Sequence, residues 1–319
     1  MNIVEKLYTV IILSAAVIGI GAGRIEMIQE NAEHFIVPLL MVMLYLTFLQ
    51  IPLQQAKQAF GNAKFASASL LINFLWTPLF AWFLASLFLG DQPALYIGFI
   101  MLMVTPCTDW YLVFTGIAKG NVALSTAILP VNLILQIILL PLYLLLFSGT
   151  AGALELSFLM ENVVAVLALP LLLTIATKRL LRNNTWLNAS LTAKLSALPM
   201  IFLALAITAM FASRGRLLLG NLDLLGQLLV PILLFFTVNF IIAQNAANLL
   251  KFSYEDKASL SLIALARNSP IALAIAMTAF PEQPLIALTL VIGPLLELPV
   301  LAVTSQLLLV FRKRSISYK

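Results

Sequence analysis

The sequence predicts an all-α polytopic membrane protein with ten transmembrane helices, arranged as a 5+5 inverted repeat. Of the 319 residues, 62% are hydrophobic and 10% are charged, and the mean hydropathy is +1.06. This composition leaves too little polar surface for a soluble globule. A helix needs about 20 apolar residues to cross the hydrocarbon core of a bilayer. Ten such runs occur, at approximately residues 7–23, 35–53, 65–89, 94–118, 122–147, 161–177, 195–212, 225–250, 258–280 and 285–311.

A repeated break supports the division into two halves. Pro106 and Pro270 interrupt the fourth and ninth runs and lie 164 residues apart, close to half the chain length. The same interval carries Ala-Leu-Ser at 123–125 onto Ala-Leu-Thr at 287–289, although chance similarity among common residues is the alternative. We expect one transporter domain over residues 1–319, with internal repeats at approximately 1–155 and 156–319. Because five spans per repeat is an odd number, the second repeat must be inverted in the membrane.

Positive residues orient the chain, because short cytoplasmic loops retain Lys and Arg. With the N-terminus inside, 14 of the 18 Lys and Arg residues fall in inner segments. They are Lys6, Lys57, Lys64, Lys119, Lys178, Arg179, Arg182, Lys194, Lys251, Lys257, Arg312, Lys313, Arg314 and Lys319. The outer loops contain Arg24, Arg214 and Arg216. We therefore expect an integral protein of the plasma (inner) membrane, with both termini cytoplasmic.

The composition also argues against several function classes. The net charge of +5 is spread over the inner loops and not gathered on one face, which argues against nucleic acid as a partner. The single histidine, His34, and the lack of a phosphate loop or a cysteine pair argue against an enzyme and a cofactor. The expected partners are the bilayer and a small-molecule or ion substrate, and the oligomeric state is left open. The glycines of residues 19–23 predict close contact between helices, with a cleaved signal peptide as the alternative.

The fourth run carries the first candidate site. Thr105, Cys107, Thr108 and Asp109 surround Pro106. Because proline removes a hydrogen bond of the helix, this break is tolerable only where it faces protein or a water-filled cavity. A carboxylate at membrane depth costs roughly 2.5 to 3.5 kcal/mol and usually has a partner or a task. Asp109 is therefore a candidate transport residue, with a structural pair or an interfacial cap as the alternatives.

The ninth run repeats the break with a cation and an amide, because Arg267, Asn268 and Ser269 precede Pro270. Inverted repeats bring their broken helices together near the midplane of the membrane. We predict that Arg267 and Asp109 approach there and partly neutralise one another. Asp109→Asn and Arg267→Gln should then each abolish transport, and the charge swap should restore some of it. The alternative is an Arg267 side chain that extends to the inner headgroups.

Other polar residues lie inside the later runs. Glu297 is predicted to accept a proton during the transport cycle, because burial disfavours a charged carboxylate, or to be a structural partner of a broken helix. Ser125, Asn132, Gln136 and Asn239 are candidates for lining a cavity or holding an ion. Amides of this kind also simply join helices in membrane bundles.

Four motifs carry a family resemblance: Pro-Cys-Thr at 106–108, Ala-Lys-Gly-Asn-Val-Ala-Leu-Ser at 118–125, Ala-Arg-Asn-Ser-Pro at 266–270 and Gly-Pro-x-x-Glu-x-Pro-Val at 293–300. With them, nearly the whole chain resembles the bile acid:sodium symporter superfamily, and within it the arsenite permeases of the arsenical-resistance type. The resemblance implies a panel domain, a core domain and crossed discontinuous helices formed by spans four and nine. It also implies that Cys107 is a transient metalloid ligand, because these permeases require a cysteine after the proline of span four.

The chain departs from the family pattern in two places. Arsenite permeases have a glutamate shortly after the break of span nine, where this chain has Ile271 and Ala272. Sodium-coupled relatives have a hydroxyl-rich stretch in span five, whereas this chain becomes apolar after Ser125 and Thr126, so the coupling ion, proton or sodium, is left open. We predict an alternating-access secondary transporter of a small metalloid hydroxide, oxyanion or organic anion, with arsenite efflux as the sharpest version. The alternatives are a sodium-coupled organic-anion symporter and, more remotely, a membrane receptor or lipid-handling enzyme.

Overall fold

The structure is a computed structural model that describes residues 3–51, 60–107, 110–147, 156–180, 198–220 and 222–317. All the regular secondary structure in these residues is helical. The helices are α1 (Ile3–Ala22), α2 (Glu26–Gln50), α3 (Ala63–Phe88), α4 (Pro93–Met103), α5 (Trp110–Ile117), α6 (Val122–Phe147), α7 (Leu156–Leu180), α8 (Leu198–Leu219), α9 (Leu222–Leu249), α10 (Tyr254–Leu265), α11 (Ser269–Ala279) and α12 (Pro284–Ser317). A short 3-10 turn, Phe60–Asn62, precedes α3. The all-α prediction is confirmed for these residues.

Six of the described helices are long and apolar enough to cross a membrane. Their qualifying segments are Glu26–Gln50, Ala63–Phe88, Val122–Phe147, Leu198–Gly215, Gly226–Leu249 and Pro284–Lys313. Two shorter apolar helices, α4 and α11, lie beside breaks in the chain. The class of membrane protein therefore agrees with the prediction, and the count of ten spans stays a prediction.

The lipid-facing surface is clearest on α3. Leu71, Leu75 and Leu79 recur every four residues, which places them on one helical face, and each is about half exposed. Phe65 and Ala81 of the same helix are fully buried. A contiguous exposed stripe of leucine is unfavourable in water and stable in a hydrocarbon environment, so α3 presents one face to lipid.

The helices pack in two groups. One group contains α1, α2, α7 and α8, in which α8 contacts both α1 and α2. The other group contains α3 to α6, α9, α10 and α12, and α11 packs between the groups against α2, α7 and α12. Gly19 and Gly23 of the first helical hairpin approach the backbone of Thr208 and Ala212 so closely that a Cβ atom has no room. The predicted close helix contact is therefore confirmed for these two glycines.

A π-helical turn, Ile72–Trp76, interrupts α3. Pro78 has no N–H to donate to the carbonyl of Phe74, four residues earlier, so that carbonyl loses its helical partner. The Tyr143 hydroxyl of α6 supplies the missing hydrogen bond, donating to the Phe74 oxygen at 2.5 Å. This contact joins α3 to α6 at the π turn. The same turn contributes a residue to the site described next.

Candidate functional site

Two non-helical segments meet in the protein interior. The first comprises residues 104–107, directly after the end of α4 at Met103, and the second lies between α10 and α11. The Cys107 N–H donates to the Ala266 carbonyl at 3.0 Å, and the Asn268 N–H donates to the Thr105 carbonyl at 2.7 Å. We call these paired segments, residues 104–107 and 266–268, the crossing. Each segment satisfies backbone groups of the other, as buried non-helical backbone requires.

The sequence explains the break after α4. Pro106 lacks an N–H, and its ring disfavours helical backbone at the preceding residue, Thr105. The Thr105 hydroxyl then donates to the carbonyls of Met101 and Leu102, at 2.9 and 3.1 Å, so a side chain just beyond α4 caps its last turn. Pro106 itself lies in the extended segment, opposite Arg267 in an isolated antiparallel bridge.

The second break is built differently. The Asn268 side-chain oxygen accepts a hydrogen bond from the Ile271 N–H at 3.2 Å, which makes Asn268 the N-cap of α11. Pro270 lies in the first turn of α11, where a missing N–H costs nothing. The two prolines thus match in sequence but not in position, because Pro106 forms part of the crossing and Pro270 starts a helix.

Arg267 lies at the centre of the crossing and is almost fully buried, with 1% of its surface exposed. Its side chain makes four hydrogen bonds within the described structure. Nε donates to the Leu265 carbonyl at 3.1 Å, Nη1 donates to the Met103 carbonyl at 2.9 Å, and Nη2 donates to the Ala264 carbonyl and, at 3.2 Å, to Asn73 Oδ1. The alternative in which Arg267 extends to lipid headgroups is therefore wrong.

Glu297 of α12 joins the same site. It is buried, and its Oε1 accepts a hydrogen bond from the backbone N–H of Arg267 at 2.8 Å. This contact makes Glu297 a structural partner of the broken chain, which was one of its two predicted roles. Its other role, proton acceptance, stays a prediction.

Cys107 is the single cysteine of the chain and is buried in the crossing. Among the described residues no group of three or more His, Cys, Asp or Glu side chains could hold a metal ion, so the structure offers no multidentate metal site there. The role of Cys107 as a transient metalloid ligand stays a prediction. Thr108 and Asp109 lie outside the described residues, and the proposed approach of Asp109 to Arg267 likewise stays a prediction.

Several buried polar side chains have no hydrogen-bond partner within the described part of the chain. Asn132 and Gln136 of α6 lie one turn apart, and both the amide nitrogen and the amide oxygen of each are unpaired. The hydroxyls of Ser125 and Ser269 are also buried and unpaired. An unsatisfied buried polar group costs about 1–3 kcal/mol, so these groups reduce stability unless something else binds them.

Asn239 behaves differently from the amides of α6. Its nitrogen donates to the Phe235 carbonyl at 3.0 Å, and its oxygen accepts a hydrogen bond from the Thr77 hydroxyl at 3.4 Å. These contacts join α9 to α3. Asn239 therefore serves as a helix-joining amide in this structure.

Two residues of the site were not predicted from the sequence. Asn73, fully buried in the π turn of α3, accepts a hydrogen bond from Arg267, and the Phe235 ring lies 5.4 Å from the Arg267 guanidinium carbon in cation–π geometry. The signal for Asn73 was present, because an amide inside an apolar run is the same kind of feature as Asn132. Phe235 gave no signal among the 20 phenylalanines of the chain.

An α-helical membrane protein in which helix ends meet among buried polar side chains has the architecture of a membrane transporter. A family model described as the Sodium Bile acid symporter family matches residues 37–221, more than half of the chain. The protein belongs to this family, which confirms the resemblance inferred from its motifs. It is a membrane transporter and not an enzyme.

Three relatives extend the comparison over most of the chain. The Arsenical-resistance protein Acr3 of Corynebacterium glutamicum is 26% identical over 278 residues, covering 82% of this chain and 74% of the relative. The Uncharacterized transporter slr0944 of Synechocystis is also 26% identical, covering 94% and 87% of the two chains. The Uncharacterized protein YbaS of Bacillus subtilis is 23% identical, covering 84% and 86%.

Proposed function

We propose that the protein is a ten-span secondary transporter that works by alternating access, with a 5+5 inverted repeat whose discontinuous fourth and ninth spans form the crossing. The pairs α4 with α5 and α10 with α11 support this architecture, since all four helices are short and non-helical residues, 104–107 and 266–268, follow α4 and α10. The proposed orientation places both termini in the cytoplasm at the plasma (inner) membrane.

The cargo we propose is a small metalloid hydroxide, oxyanion or organic anion, and arsenite efflux is the sharpest version. The observation that carries it is the position of Cys107, the one thiol of the chain, within the crossing and hydrogen-bonded through its backbone to the segment that contains Arg267. Arsenite is mostly a neutral trihydroxide near neutral pH, and soft sulfur suits it better than oxygen does. The relation to an arsenical-resistance protein over most of the chain supports the same cargo.

The test is growth of an arsenite-sensitive host that expresses the protein. We expect the wild type to raise arsenite tolerance and Cys107→Ser to erase that gain, because serine keeps the size of the side chain and loses the soft ligand. Immunoblots of membrane fractions should show equal amounts of both proteins. Unchanged tolerance with abundant wild-type protein would contradict arsenite as the cargo.

A second candidate is sodium-coupled uptake of an organic anion. The family match favours it, and so do the unpaired oxygens of Asn132, Gln136 and Ser125, because sodium is a hard cation that binds oxygen ligands. Accumulation of labelled organic anions in vesicles, compared in sodium and in potassium, separates the two candidates. Uptake that requires sodium supports the second, and ion-independent arsenite efflux supports the first.

A further inference from the structure

The ends of two helices converge on one point in the crossing. The last carbonyls of a helix have no partner within that helix, and each helix C-terminus carries roughly half of a negative elementary charge. Met103 ends α4, and Ala264 and Leu265 end α10. Their three carbonyl oxygens and the side-chain oxygen of Asn73 all accept hydrogen bonds from the same group. We call these four oxygens the carbonyl cage.

The occupant of the carbonyl cage is the Arg267 guanidinium. It carries a positive charge, which the negative ends of the two helix dipoles stabilise. The ring of Phe235 lies 5.4 Å from the guanidinium carbon, where it also favours a cation. Oxygens at unwound helix ends are the ligands with which transporters hold coupling cations, so the cage has the chemistry of a monovalent cation site.

A sodium ion does not fit this cage in the wild-type protein. Each of the four oxygens already accepts an N–H of Arg267, and the guanidinium occupies the point toward which they converge. The family description names sodium, whereas the cation in this cage is a side chain of the protein itself.

We propose that Arg267 is a tethered replacement for an exchangeable monovalent cation at the crossing, so that the carbonyl cage is a cation site with a permanent occupant. The cage itself is inferred from the contacts alone. Its consequence, that this site takes up and releases no ion during transport, rests on the proposed function. A coupling ion, if transport uses one, binds at another set of residues.

The test is cation rescue of a purified variant in detergent. Arg267→Ala empties the cage and should lower the temperature of thermal unfolding, and free guanidinium at millimolar concentration should recover most of that loss. Urea has a similar planar shape without the charge and should recover none. The matched control is Arg214→Ala, which removes an arginine that pairs with Glu33 at a partly exposed site, where free guanidinium should have no effect.

Each outcome decides the proposal. Rescue by guanidinium, with or without rescue by sodium, supports a cation cage. Equal rescue by guanidinium and urea would indicate that the additive only fills space, and it would overturn the proposal. An Arg267→Ala variant with wild-type stability would also overturn it. So would an Arg267→Ala variant whose stability responds to cations no more than that of Arg214→Ala.

A second pair of variants covers the case in which Arg267→Ala does not fold. Arg267→Lys keeps a cation and Arg267→Met keeps a similar length without charge, so we expect the Lys variant to be the more stable. A Met variant as stable as the Lys variant overturns the proposal. None of these measurements needs a substrate. A result that overturns the cation cage therefore does not contradict arsenite transport. A negative result in the arsenite tolerance test does not contradict the cation cage.

Discussion

The guanidinium of Arg267 donates a hydrogen bond of 2.9 Å to the main-chain carbonyl of Met103, which precedes it by 164 residues. Met103 ends α4, and Arg267 follows the last turn of α10, so one side chain joins the ends of two helices. The interval is the same one that separates Pro106 from Pro270 in the sequence. The contact therefore links positions that the repeat pattern relates to each other.

Substitution of Glu297 should separate its structural role from its charge. Glu297→Ala leaves the buried N–H of Arg267 without its acceptor and should destabilise the protein by about 1–3 kcal/mol. Glu297→Gln keeps an oxygen acceptor of the same reach and should retain most of the stability. Thermal unfolding in detergent measures both variants, and an equal loss in the two would contradict the hydrogen-bond role. If proton acceptance is also needed, the folded Gln variant transports nothing.

The two unpaired amides of α6, Asn132 and Gln136, are expected to lower stability and to serve transport. Asn132→Leu and Gln136→Leu remove buried polar groups that have no partner among the described residues, so stability should stay equal or rise, by up to about 1–3 kcal/mol. Transport should fall if these groups bind cargo or an ion. Asn239→Leu is the matched control, because it breaks two hydrogen bonds and should lose stability. Destabilised α6 variants would show that these amides are paired in the native protein.

Thiol labelling should report the accessibility of the crossing, because Cys107 is the chain's single cysteine. It is 1% exposed, so we expect a maleimide to label it slowly in this conformation. Asp91→Cys in a Cys107→Ser background places a thiol in the exposed turn between α3 and α4 and should be labelled promptly. Equal rates at the two positions would mean that the crossing is open to water for much of the time.

The glycines of α1 should differ sharply in their tolerance of alanine. A Cβ at Gly19 would lie 2.5 Å from the Thr208 carbonyl oxygen, so Gly19→Ala should cost about 1–3 kcal/mol by overpacking the contact with α8. Gly21 has nothing within 4 Å of a Cβ, and Gly21→Ala should be neutral or stabilising by about 0.5–1 kcal/mol. Unfolding temperatures that rank the two variants in the opposite order would contradict the packing of α1 against α8.

The hydroxyl of Tyr143 should stabilise the π turn of α3. Tyr143→Phe leaves the Phe74 carbonyl unpaired, and we expect a loss of about 1–3 kcal/mol in the free energy of unfolding. Tyr96→Phe removes a hydroxyl that lies on the exposed side, 3.4 Å from Ser86, and should change stability by less than about 0.5 kcal/mol. Equal effects of the two substitutions would show that the Phe74 carbonyl has another partner.

Local features of the sequence were sufficient for the class of the fold and for the place of the breaks. The apolar run at 65–89 nearly coincides with α3, because the length and composition that a membrane helix needs are contained within the run itself. Pro106 marked the first break for the same reason, since a missing N–H is a property of one residue. Asn268 could also be expected at the crossing, although its role as an N-cap required the start of α11 to be known.

The partners of Arg267 could not be predicted, because three of its four acceptors are main-chain carbonyls. Every residue carries such a group, so the sequence does not mark the ones that a buried cation meets. A carboxylate, Asp109, was predicted as the partner instead. Glu297 was placed correctly inside a span, but its contact with the Arg267 backbone depends on how α12 packs, which no local pattern encodes.

Pro106 and Arg267 face each other in the crossing, but the interval of 164 residues relates Pro106 to Pro270 and Arg267 to Met103. A second arginine at position 103 would bury two like charges close together, which is strongly unfavourable. The crossing therefore accommodates one cation, contributed from one side only, so its two sides cannot carry the same residues.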